Sequence, residues 1–106
     1  MDRDPLTALS PLDGRYSART DSLREIFSEY GLIRFRVLTE VRWVQFLAAE
    51  AAVADFGSLS PVVNQVLDEI ARNFTPDDAR RIKEIERRTN HDVKAVEYFI
   101  AERLGD

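Results

Sequence analysis

Apolar residues recur at spacings of three and four along most of this chain, and the rhythm breaks at glycine and proline. The longest such stretch runs from Leu32 to Phe56, free of both breakers and closed by Gly57, and predicts a long helix that serves as the spine of the domain. Ile33, Val37, Val41, Val44 and Ala48 form one row along it, while Phe35, Leu38, Trp43, Phe46 and Leu47 spread around the cylinder. A helix apolar on more than one face is expected to contact several neighbours. Its alanine-rich end, Ala48-Ala49-Glu50-Ala51-Ala52, carries side chains short enough to let another helix approach closely, from the same chain or from another subunit.

Shorter helices flank the spine. Thr20 or Asp21 is a candidate cap for a first helix through Glu29, with Leu23, Ile26, Phe27 and Tyr30 in its apolar stripe and Gly31 as its stop. Ser60-Pro61 pairs an N-cap residue with proline at the first helical position and opens a helix carrying Val62, Val63, Val66, Leu67 and Ile70. Thr75-Pro76 repeats the device for residues 76–88. A last helix is expected to start near Asn90 to Asp92 and run to Leu104, with Val93, Val96, Phe99 and Ile100 buried and Gly105 behind it. Residues 1–19 lack periodicity and hold Pro5, Pro11 and the turn signal Asp13-Gly14. With no alternating pattern of useful length, no repeat and no low-complexity tract, the expected fold is all-α, about five helices behind a loop-rich N-terminal segment.

At 106 residues the chain fits one domain, and 44% apolar with 32% charged residues is the balance of a soluble globular protein. The charged start Met1-Asp2-Arg3-Asp4-Pro5 is followed by no signal-peptide core, and no apolar run approaches a spanning helix, so a cytoplasmic setting without membrane contact is the expectation. The absence of cysteine excludes disulfides, a thiolate nucleophile and thiolate metal sites, and a single histidine argues against a dedicated zinc centre. A net charge of -4 argues against general attraction to nucleic acid. Arg80-Arg81 and Arg87-Arg88 are the densest basic groups, but Asp77, Asp78, Glu84 and Glu86 lie among them, which predicts a solvated, salt-bridged helix face.

Two polar clusters are candidates for chemistry. Thr89-Asn90-His91-Asp92 precedes the last helix and holds the one histidine. At a helix start the backbone N–H groups lack partners, so Asn90 and Asp92 can be caps and nothing more. The same amides, a carboxamide and an imidazole that titrates near neutrality when unperturbed can also converge on a polar or anionic ligand, although Asp92 repels a bare anion. The second cluster is Asp13-Gly14-Arg15-Tyr16, where a constrained turn can aim a guanidinium fork suited to phosphate or carboxylate beside a phenol. An ordinary surface Arg-Tyr pair is the plainer reading, and spacing alone decides neither case.

Four separated blocks then carry a resemblance. Leu6-Thr7-Ala8-Leu9-Ser10-Pro11-Leu12-Asp13-Gly14-Arg15-Tyr16, Ile26-Phe27-Ser28-Glu29-Tyr30-Gly31-Leu32, Glu40-Val41-Arg42-Trp43 and Ile85 to Phe99 closely resemble, in order, the N-terminal domain of the bacterial adenylosuccinate lyases, members of the fumarase and aspartase superfamily. The resemblance covers nearly the whole chain. It implies a homotetramer of long helices that eliminates fumarate from adenylosuccinate to leave AMP, cleaves the succinylated carboxamide ribotide of purine synthesis in the same way, and uses no cofactor. It also implies that Arg15 and Tyr16, with the guanidinium near the nucleotide phosphate, and Asn90, His91 and Asp92 contact substrate.

Such an elimination needs a base for a weakly acidic C–H, an acid for the leaving nitrogen and donors for the aci-carboxylate. The family takes its base from a serine on a Ser-Ser-x-Met-Pro-x-Lys loop and its acid from a histidine of the central helical domain. Ser22 and Ser58 sit in no such motif, and His91 belongs to another block. The expectation is therefore that residues 1–106 form the N-terminal helical domain only, that the central bundle and C-terminal domain are absent, that no catalytic residue is present, and that the piece is inactive alone. The alternative is a small helical interaction module without catalysis.

Overall fold

In the computed structural model, which describes residues 4–50 and 57–105, α-helices account for most of the chain, and the three that follow residue 57 each begin behind a side chain that caps them. The chain divides into two compact units, Met1–Leu32 and Ile33–Asp106. No strand occurs among the described residues, as expected of an all-α fold.

The first unit consists of turns followed by α1 (Ser17–Thr20), a 3-10 turn over Asp21–Leu23 and α2 (Arg24–Phe27). A single helix from Thr20 or Asp21 through Glu29 is not what forms. Thr20 does not cap; its hydroxyl instead faces the carbonyls of Leu12 (3.1 Å), Ser17 (3.2 Å) and Tyr16 (3.4 Å), to which its one hydrogen can be given. The break falls at Ser28, whose backbone is extended (φ -91, ψ 171) and whose hydroxyl accepts the Gly31 N–H at 3.0 Å, so that Ser28 launches α3 (Glu29–Ala49). Gly31 thus lies in the first turn of α3 rather than stopping a helix. A Cβ there would meet the Ile26 carbonyl oxygen at 2.4 Å, which leaves room for glycine alone. Leu23, Ile26 and Phe27, expected in a buried stripe, are exposed.

The second unit holds the rest of α3, α4 (Pro61–Arg72), α5 (Pro76–Thr89) and α6 (Asp92–Leu104). Its core is Ile33, Val37 and Val41 from α3, Leu67 and Ile70 from α4, Ala79, Ile82 and Ile85 from α5, and Ala95, Val96, Phe99 and Ile100 from α6. Phe74, ahead of α5, meets Phe99 edge-on, with centroids 5.9 Å apart and planes at 89°. α6 packs on both α5 and α4. Arg42 of α3 pairs with Asp68 of α4 (2.6 Å), and Gln45 bonds Asn64 and Asp68.

Both proline-led starts form as expected. Ser60 accepts the Val63 N–H, and Thr75 makes a reciprocal capping box with Asp78. Asp78 does more than decorate a solvated face: it is buried and also pairs with Arg103 of α6. Arg81 likewise reaches from Glu84 across to Glu102 in a two-pronged contact of 3.0 and 2.5 Å. The remaining charges behave as a surface, as in Arg80–Asp77 and Lys83–Glu86.

Further expectations change in this unit. The helix predicted to Phe56 ends at Ala49, and residues 51–56, including the Ala51-Ala52 part of the small-residue end, lie outside the described residues. Of the apolar positions spread around α3, only the row of Ile33, Val37 and Val41 is fully buried, while Phe35, Trp43 and Phe46 are exposed, with Trp43 stacked on Phe46 at 5.9 Å. Val62 and Val93 are also exposed, each in the first turn of its helix. Among the described residues no helix is long and apolar enough to cross a membrane.

Candidate functional site

In the second unit, two residues separate α5 from α6, and a reversal that short demands special backbone. Asn90 adopts the left-handed conformation (φ 54, ψ 31), the one non-glycine with positive φ among the described residues, and its N–H closes α5 on the Glu86 carbonyl at 2.7 Å. Asparagine tolerates this geometry better than most side chains. His91 then turns extended (φ -145, ψ 119) and leads into α6. Thr89 staples the reversal, its hydroxyl accepting the His91 N–H at 3.3 Å and lying 3.2 Å from the His91 carbonyl.

The residue that caps α6 is neither Asn90 nor Asp92. It is His91, whose Nδ1 accepts the Lys94 N–H at 3.2 Å. An acceptor nitrogen carries no proton, so the neutral ring that makes this bond bears its hydrogen on Nε2. The imidazole is exposed, and its Nε2–H is the edge left for a ligand oxygen. The capping reading and the ligand reading therefore use different nitrogens of one ring.

Asp92 opens α6, and its Oδ1 accepts the Val93 N–H at 2.8 Å while its Oδ2 pairs with Arg36 Nη2 of α3 at 3.1 Å. The Val93 amide first, and the Arg36 charge second, hold this carboxyl below the usual aspartate range. Arg36 sits far away in sequence and carries no motif, and only the packing of α3 against the start of α6 brings it here. The Asn90 side chain is exposed at the same turn.

The other cluster belongs to the first unit. Gly14 is buried, and a Cβ on it would meet the Pro5 carbonyl oxygen at 2.7 Å and the Ala8 Cβ at 3.1 Å. Amides of Asp13 and Gly14 bond Ser10, and the Tyr16 N–H reaches back to Pro11 at 2.8 Å. This ties down the backbone on both sides of Arg15, as the turn signal implied. The guanidinium lies over the Tyr16 ring at 5.1 Å, with Arg19 on the same ring at 6.0 Å. Asp13, the nearest acid in sequence, is paired with Arg24 at 3.2 Å. Arg15, Tyr16, Asn90, His91 and Asp92 thus fall in two units, each locally ordered by its own turn.

Comparison with known proteins brings in three relatives. The chain is 57% identical to adenylosuccinate lyase of Vibrio cholerae over 105 residues, which is 99% of this chain and 23% of that protein. It is 57% identical to the adenylosuccinate lyase of Haemophilus influenzae over 104 residues and 53% identical to that of Escherichia coli K12 over 106, again covering 23% of each. The chain therefore spans about a quarter of the length of the curated relatives it matches. A family model described as Lyase matches residues 14–106, from the buried glycine of the first turn through all of α6, and on that match the chain belongs to this lyase family.

Proposed function

We propose that residues 1–106 are the N-terminal helical domain of an adenylosuccinate lyase and supply substrate-binding side chains to an active site completed by other segments. The observation that carries this is the 53–57% identity, over nearly the whole of the chain, with three enzymes bearing that name. The whole enzyme would eliminate fumarate from adenylosuccinate to give AMP, and from the succinylated carboxamide ribotide, as a cytoplasmic homotetramer. Arg15 would engage the nucleotide phosphate through its fork, with Tyr16 beside it. Asn90 and the Nε2–H of His91 would donate to substrate oxygens, and Asp92 would keep their turn in shape.

His91 on this reading orients and stabilises rather than transfers protons, since one of its nitrogens is committed to the helix. The domain by itself would not cleave adenylosuccinate. The test replaces the matching segment of the Vibrio cholerae adenylosuccinate lyase with this chain and follows the loss of adenylosuccinate absorbance. The chimera is expected to turn over, Arg15→Lys to weaken binding by about 1–3 kcal/mol, and His91→Gln to leave slow residual turnover. A folded, assembled chimera without activity, or one indifferent to Arg15→Lys, sinks the proposal. So does a His91→Gln variant that loses the acid limb of its rate profile and recovers it with added imidazole, as far as the role of His91 is concerned.

A further inference from the structure

We infer that Arg36, on the second turn of α3 past the unit boundary, is a positioning residue that makes the Asn90–Asp92 turn fit to receive an anion by engaging the Asp92 carboxylate. This rests on the substrate-binding role proposed above for that turn. The difficulty it removes is electrostatic. A turn that offers an amide, an imidazole N–H and a helix start is attractive to a carboxylate or phosphate, yet an aspartate in its midst cancels that attraction.

Arg36 resolves the conflict in two ways. Its Nη2 lies 3.1 Å from Asp92 Oδ2 while Oδ1 accepts the Val93 N–H at 2.8 Å, so each carboxylate oxygen has a protein donor. The pair is also close to neutral as a unit, which leaves the partial positive charge of the α6 start uncancelled. The Arg36 side chain is about one-third exposed and that of Asp92 about one-half, at 33% and 47%, so the pair lies partly open to solvent beside the turn. The other titratable group facing the carboxylate is His91, with Nδ1 4.0 Å from Oδ1. Lys94 is turned away to Glu97 at 3.5 Å.

Two measurements on the same variants test this. In the chain itself, side-chain carboxyl NMR follows Asp92 through its titration in wild type, Arg36→Gln and Arg36→Lys. Removal of the guanidinium is expected to move the Asp92 midpoint upward, and lysine to restore most of the difference. In the Vibrio cholerae chimera, Arg36→Gln is expected to raise KM about tenfold with a much smaller change in kcat, as for one charged hydrogen bond. The effect should vanish in an Asp92→Asn background, because Arg36 acts through Asp92.

An Asp92 midpoint that does not move, a KM that does not change, or an equal loss in the Asp92→Asn background each overturns the assignment. A chimera already inactive with Arg36 intact defeats the proposed function instead. The Arg36 contact is then judged on the Asp92 titration alone.

Discussion

The two polar turns achieve order by opposite means. Around Arg15 the chain is held by short-range backbone bonds and by the close approach of Gly14 to Pro5, while the neighbouring Leu9, Leu12 and Phe27 remain exposed. Around His91 the turn is clamped between two long helices whose inner faces are buried, and it borrows Arg36 from a third. The first is a local device whose strength lies in sterics at one residue. The second inherits the cooperativity of a core, so it is expected to be lost only when that core is lost.

The largest expected effect breaks the second turn through its core. Phe99 is fully buried and braced on Phe74, so Phe99→Ala should destabilise the second unit by about 3–5 kcal/mol. Chemical denaturation followed by helical circular dichroism measures this, and a loss below about 1 kcal/mol would contradict the packing described, given the usual cost of such truncations.

Next is the steric pivot of the first turn. Gly14→Ala drives a methyl against the Pro5 carbonyl, a backbone atom that cannot swing aside, and should cost about 1–3 kcal/mol of local order. Faster hydrogen exchange of the Tyr16 amide, which bonds Pro11, is the readout. Unaltered exchange would show that the turn does not depend on this contact.

Smaller is the loss of the hydroxyl that starts α5. Thr75→Ala removes half of the capping box and should cost about 1 kcal/mol, measured by the same denaturation. Smaller still in stability is Asn90→Gly, which keeps the left-handed backbone and is expected to change stability by less than about 1 kcal/mol. It deletes the carboxamide, however, and should weaken AMP binding in the chimera. A variant that unfolds, or that binds AMP as before, would separate Asn90 from the role given to it.

The last prediction concerns acid. Asp92 is held low by the Val93 amide and Arg36, Asp68 by Gln45 and then Arg42, and Glu102 by Arg81. Each binds its proton less readily folded than unfolded, so its contribution is present above the ordinary carboxylate range and fades as pH falls through the lower folded values. All three are at least partly exposed, so a modest acid destabilisation is expected, weakened further by salt. Stability that rises as pH falls through that range would contradict the sign.

Helix starts with a chemical marker were legible from the chain: Ser60-Pro61, Thr75-Pro76 and the end of α6 at Gly105 lie where their residue types put them. The first helix was not, because Ser28 competes with Gly31 as a boundary and only the fold of the backbone onto Ile26 shows that Gly31 serves close approach. The candidate site residues stood out as residue types. Their local contacts did not, since the side chain that caps α6 is the imidazole rather than Asn90 or Asp92.

Local rules by themselves determined that the chain is helical, where its proline-capped helices begin, and which polar residues cluster at its two turns, because caps, breakers and the helical period act over a few residues. Tertiary structure alone decided that Asp78 is buried with Arg103, that only one row of α3 is fully covered, and that Arg36 answers Asp92. Those outcomes depend on which faces of distant helices meet, and a contact between residues far apart in the chain leaves no trace in local spacing.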